Sequence, residues 1–88
     1  MYVLIGYDGP LAIQGREKYR EAHLEKYRNL SKAGKVVLAG PFRDGSGSLI
    51  VLNVATKTEA ELIAKSDPYV IGGVFARYEV KPFDRVLP

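Results

Sequence analysis

The stretch from Arg16 to Ala33 (REKYREAHLEKYRNLSKA) constrains the fold more than any other, because its apolar residues recur with the period of an α-helix. At about 100° per residue, Tyr19, His23, Tyr27 and Leu30 fall on one face with Leu24 at its edge. Glu17, Lys18, Glu21, Glu25, Arg28 and Lys32 fall opposite. Glu17 and Glu21 near the start and Lys32 near the end suit the helix dipole, and Gly34 is placed as the stop just past the last turn. The only histidine in the protein, His23, therefore lies inside the apolar stripe. On that pattern alone its commoner reading is a hydrogen-bonded core residue, with acid-base chemistry as the alternative.

The remaining segments divide into strand-like runs and one further helix. Tyr2 to Asp8 (YVLIGYD) is β-branched, aromatic and apolar at both parities, and it ends at Gly9-Pro10. Leu11 to Gly15 reads as a connector. Lys35 to Gly40 and Ser48 to Ala55 form an expected antiparallel hairpin across Asp44-Gly45-Ser46-Gly47. Thr56 or Thr58 can cap a second helix over Glu59 to Lys65, Thr58 forming a capping box with Glu61. That helix must stop at Ser66-Asp67-Pro68, because the residue before a proline is pushed out of helical dihedrals. Tyr69 to Gly73 is a short turn or helical fragment, and Val74 to Lys81 is the last strand.

Strand, helix, strand, strand, helix, strand is the order of a ferredoxin-like α+β fold, βαββαβ: a four-stranded antiparallel sheet with both helices on one face. Right-handed crossovers place the first and third strands in the centre and bring the two helices side by side, so the region after Asp67 can lie against the first helix. Residues 1–88 are read as one domain. The helices cover one sheet face only, yet the third strand is apolar on both sides, with Leu49 and Val51 on one and Ile50, Leu52 and Val54 on the other. A bare face of that kind would be a large exposed apolar patch, so a homodimer packing sheet against sheet is expected.

Composition excludes several functions. The net charge of +3 comes from thirteen basic residues interleaved with ten acidic ones, with no basic run, so no nucleic-acid partner is expected. The RNA-binding use of this fold also needs aromatics in a basic motif on the open sheet face, which the first and third strands do not supply. No stretch approaches a membrane span and no basic leader precedes the first strand, so no membrane association and a cytoplasmic location are expected. Zero cysteines rule out disulfides and a thiol nucleophile, and with one histidine they leave no transition-metal cluster. No dinucleotide fingerprint follows the first strand, and Gly45-Ser46-Gly47 lacks the lysine and helix of a phosphate loop; no cofactor is expected.

His23 remains the natural acid-base group, since a histidine's unperturbed pKa lies at about 6.5. Such a ring normally has a second group, most often a carboxylate, that holds its tautomer and stabilises the imidazolium. The acids of its own helix point away, which leaves Asp67 at the forced helix break. Asp followed by Pro is also a standard helix cap, and the two roles can coexist on two oxygens. Arg16 and Arg20 precede His23 on its own face, where either can bind an anionic group or simply cover apolar surface. Ser48 and Tyr69 are further pocket candidates. Gly40-Pro41 and Gly72-Gly73 read as turn devices.

Taken in order, Arg16, Ala22-His23-Leu24, Gly34-Lys35-Val36, Ala39-Gly40-Pro41, Gly47-Ser48-Leu49, Asp67-Pro68-Tyr69, Gly73 and Lys81-Pro82-Phe83 resemble the YCII-related (YciI-like) family over nearly the whole chain. The resemblance implies a ferredoxin-like fold dimerising through its sheet as in dimeric α/β barrels. It also implies a histidine-aspartate pair at an active site, matching His23 and Asp67. One branch of the family resembles dehydrochlorinases of chlorinated hydroxyquinols. The expectation is therefore a cofactor-independent lyase or isomerase acting on a small anionic or phenolic compound. His23 and Asp67 would be its acid-base pair, with Arg16, Ser48 and Tyr69 holding the substrate. A non-catalytic ligand-binding or interaction module is the alternative.

Overall fold

A computed structural model describes residues 1–88. The helix-period stretch begins earlier than its charged residues indicate: α1 runs from Ala12 to Lys32, following β1 at Tyr2–Asp8. Gly15, read from sequence as part of a connector, lies inside the helix. A Cβ there would sit 2.6 Å from Val74 Cγ2, so the glycine offsets its poor helix propensity by letting α1 approach the start of the last strand. Leu11 caps α1 without a side-chain bond, and the Ala12 amide donates instead to the Gly9 carbonyl at 3.1 Å. At the other end Gly34 takes a left-handed φ of 76° and stops the helix as expected.

The other elements are β2 (Val36–Pro41), β3 (Gly47–Leu52), α2 (Lys57–Lys65), a single-turn α3 (Pro68–Ile71) and β4 (Phe75–Pro82). The sheet order is β2-β3-β1-β4, antiparallel throughout, with Leu4 opposite Ile50 on one side and Val80 on the other. This is the ferredoxin-like α+β architecture that the element order predicts, with β1 and β3 central. β3 ends sooner than predicted, at Leu52: the Asn53 amide still donates to the Lys35 carbonyl at 2.8 Å, and Val54 turns into the core with Ala60 and Ile63 of α2. Thr56, rather than Thr58, caps α2, its hydroxyl accepting the Glu59 amide at 3.2 Å. Gly40-Pro41 do not make a turn but form the end of β2, whereas Gly73 does turn the chain with a φ of 76°. No helix is long and apolar enough to cross a membrane.

Side-chain alternation sorts the sheet into two unlike faces. Leu4, Ile50 and Leu52 point toward the helices and pack with Tyr27, Ala60, Ile63 and Ala64, joined by Tyr78 and Val80 of β4. The opposite face carries Val3 and Ile5 of β1, Leu49 and Val51 of β3 and Leu38 of β2, with a charged row of Arg77, Glu79 and Lys81 along β4. A second small cluster, Ala12, Tyr69, Val74 and Phe75, closes the gap between α1, α3 and β4. The histidine lies between the two clusters.

Candidate active site

Asp67 does what its local sequence predicts. It caps α3 with Pro68 in the first turn, and its Oδ1 accepts the Tyr69 amide at 2.8 Å. The same oxygen is 2.7 Å from His23 Nδ1, and Oδ2 accepts the Tyr27 hydroxyl at 2.7 Å. Capping and pairing coexist on a carboxylate with 0 % exposure. Its two oxygens already accept from an amide and a phenol, so the hydrogen-bond network assigns the proton on His23 to Nδ1. In the neutral ring the lone pair then sits on Nε2. Burial, reinforced by the negative charge of Asp67 and the hydrogen bond to it, pushes the Tyr27 hydroxyl far above the ordinary tyrosine range, so it stays a donor.

The imidazole is held from several sides. It stacks on the Tyr69 ring at 3.7 Å with an interplanar angle of 8°, leans on Tyr27 at 4.9 Å, and meets Phe75 edge-on at 6.3 Å. Nε2 has no hydrogen-bond partner, and no sealed side-chain nitrogen or oxygen in the protein lacks one. Nε2 therefore reaches open space. That space is a cavity of about 190 Å³ between α1 and the ends of β2 and β3, with Leu24, Ile50 and Ala39 among its apolar walls and Arg16, Arg20, Ser48 and Tyr69 as its polar groups.

Arg16 lies deeper in α1 than the predicted helix start allowed, and from there it reaches β1. Its Nε and Nη2 donate to the Asp8 carboxylate at 3.1 and 2.9 Å, and Nη2 also reaches Ser48 Oγ at 3.3 Å. The hydrogen bond to Asp8 is the largest influence raising its already high pKa, with burial opposing. Its guanidinium carbon stands 5.1 Å from the centroid of the Tyr69 ring. The Tyr69 hydroxyl is raised by burial and pulled back down by the charges of Arg16 and Arg20. All five residues singled out from sequence, His23, Asp67, Arg16, Ser48 and Tyr69, thus come together. Asp8 and Tyr27 were not anticipated as members of the site. Tyr27 stands four residues after His23 on one helix face, a spacing that lets both reach one carboxylate. Asp8 had no local signal while Leu11 to Gly15 read as a connector.

A sequence model of the YCII-related domain matches residues 1–84. The chain belongs to the YCII-related family. It is 29 % identical over 97 aligned positions to the protein YciI of Escherichia coli O6:H1, covering 99 % of each chain. It is also 30 % identical over 96 positions to an uncharacterized protein of Haemophilus influenzae, covering 98 % of each. Among solved structures it superposes on 5-chloro-2-hydroxyhydroquinone dehydrochlorinase (TftG) of Burkholderia phenoliruptrix AC1100, in complex with 2,5-dihydroxybenzoquinone. The TM-score is 0.83 at 23 % identity, covering 94 % of this chain and 92 % of that one. At that identity the likeness establishes a shared fold for this YCII-related chain.

Proposed function

We propose that this protein is a small cofactor-independent enzyme of the lyase or isomerase type, in which His23 is the general acid-base and Asp67 its positioning partner. One observation carries the reading: Nδ1 is pinned to a fully buried carboxylate while Nε2 opens, unpartnered, on a cavity. In that arrangement Nε2 takes a proton from a substrate hydroxyl or an acidic carbon, Asp67 stabilises the imidazolium, and the proton is returned at a second atom or lost with a leaving group. Arg16 and Ser48 form one wall of the cavity and the Tyr69 ring another, and these hold the compound. The fold shared with TftG, a dehydrochlorinase by name, supports loss of hydrogen chloride from a chlorinated, hydroxylated ring as the first chemistry to try.

The test measures chloride release from 5-chloro-2-hydroxyhydroquinone and chlorinated hydroxybenzoates. His23→Asn keeps an amide nitrogen to donate to Asp67 and removes the group at Nε2. Turnover is expected to fall by about 10²- to 10⁴-fold while the fold is retained. An unaltered rate ends the proposal. The competing module reading draws on the same carboxylate, whose capping of α3 is structural; it predicts that His23→Asn costs stability and changes no chemistry.

We further propose that the open sheet face packs on a second copy of the chain. Val3, Ile5, Leu38, Leu49 and Val51 give it an apolar centre, and Arg77, lying 3.8 Å from the Tyr7 ring centroid, belongs to its charged border. Sedimentation equilibrium should show a dimer that Val51→Lys dissociates; a concentration-independent monomer for the unaltered protein removes the proposal.

A further inference from the structure

Arg16 and Arg20 stand one turn apart on α1 and both line the His23 cavity, but only one is already engaged. Arg16 is matched by Asp8 through two hydrogen bonds and steadied by Ser48. Arg20 makes no hydrogen bond and no ion pair. Its helix neighbours at i−4, i+3 and i+4 are Arg16, His23 and Leu24; the acidic Glu17 at i−3 makes neither a hydrogen bond nor an ion pair with it, and the nearby Glu21 is taken by Arg28 at 3.0 Å. The Tyr69 hydroxyl oxygen lies against Arg16, which can only donate, so the phenol keeps its own proton free to give, and it lies within the influence of both guanidinium charges. A planar cation with no hydrogen bond or ion pair of its own and a phenol donor thus line one cavity with the nitrogen that has the lone pair. That is the donor set that recognises a carboxylate. Size narrows the ligand further. A cavity of about 150 Å³ accepts benzene, so the roughly 190 Å³ here has room for one six-membered ring with small substituents.

We propose that Arg20, with the Tyr69 hydroxyl, seats the carboxylate of a single-ring hydroxylated acid and presents a ring hydroxyl to His23 Nε2. The seat itself stands on geometry; only the use made of the hydroxyl rests on the acid-base reading of His23. The substrate class is accordingly hydroxylated ring carboxylates rather than neutral phenols, and Arg20 rather than Arg16 distinguishes them.

The experiment compares 2,5-dihydroxybenzoate with hydroquinone, the same ring without the carboxylate. Calorimetry gives affinity, and the proton resonances of the only histidine in the chain report entry into the cavity. The unaltered protein is expected to bind the benzoate about tenfold or more tightly than hydroquinone and to shift the His23 signals. Arg20→Gln should bring the two affinities within about threefold, and Arg20→Lys should recover part of the preference, since it keeps the charge and loses the planar fork. Equal affinities in the unaltered protein, a preference that survives Arg20→Gln, or no binding of either compound overturns the proposal. A retained benzoate preference without chloride release from any chlorinated ring would leave the seat standing and remove only the reaction assigned to His23.

Discussion

The two nitrogens of His23 face two different kinds of protein. On the Nδ1 side every polar atom is sealed and satisfied: Asp67 has 0 % exposure and collects donors from His23, Tyr27 and the Tyr69 amide. On the Nε2 side the polar groups are open and under-used: Nε2 and Arg20 lack hydrogen-bond partners, and the Tyr69 hydroxyl, beside Arg16, keeps its proton free. Buried polar networks are costly to break and contribute rigidity, whereas unpaired groups at a cavity contribute little to folding. One ring therefore separates what holds the fold from what is left free to meet a ligand. Substitutions on the first side should change stability, and those on the second should change binding.

The largest effect is expected at Asp67. Asp67→Ala removes the cap of α3 and strands three donors, two of them side chains in the core, at about 1–3 kcal/mol for each buried group left unsatisfied. The terms are not additive, but a loss of roughly 3 kcal/mol or more is expected by urea denaturation, a large share of the stability of a small domain. Asp67→Asn should cost less, since its amide oxygen can still cap while its nitrogen cannot accept. A loss below about 1 kcal/mol for the alanine variant would mean that the sealed side is not what fixes the ring.

Tyr27→Phe comes next, because it deletes one donor and leaves Oδ2 of Asp67 buried without a partner, for an expected cost of about 1–3 kcal/mol. Its pH dependence has a defined sign. The folded state holds the Tyr27 proton more tightly than the unfolded chain, whose tyrosines release theirs near pH 10. This contribution is fully present below that pH and is lost progressively above it. Unfolding measured from about pH 8 to about pH 11 should show the unaltered protein losing stability more steeply than Tyr27→Phe. Parallel slopes would show that the hydroxyl is not held against ionisation.

The architecture was largely legible because it depends on period and punctuation. The apolar spacing of α1, Gly34 at its end and the Pro68 break all act within a few residues, and the element order then leaves one compact antiparallel solution. The pairing of His23 with Asp67 was legible as a topological opportunity and became the favoured reading only through family resemblance. Features set by tertiary contact were not readable. Gly15 is helical because Val74 lies against it, which no local propensity encodes. Moving the helix start to Ala12 is what carries Arg16 within reach of Asp8, so the misplaced boundary also hid that ion pair and left the two arginines indistinguishable. On β4, Tyr78 and Val80 face the helices, which leaves Arg77, Glu79 and Lys81 as its contribution to the open face.

The smallest effect is expected at Arg20, and its smallness is what tests the comparison. The side chain is exposed and has neither a hydrogen bond nor an ion pair to lose. Arginine and glutamine have similar helix propensities, so Arg20→Gln changes neither the backbone preference of α1 nor its packing. Its unfolding free energy should stay within about 0.5 kcal/mol of the unaltered protein. A loss above about 1 kcal/mol would show that Arg20 is already bound to something within the protein, and the open side of the ring would then belong to the fold as well.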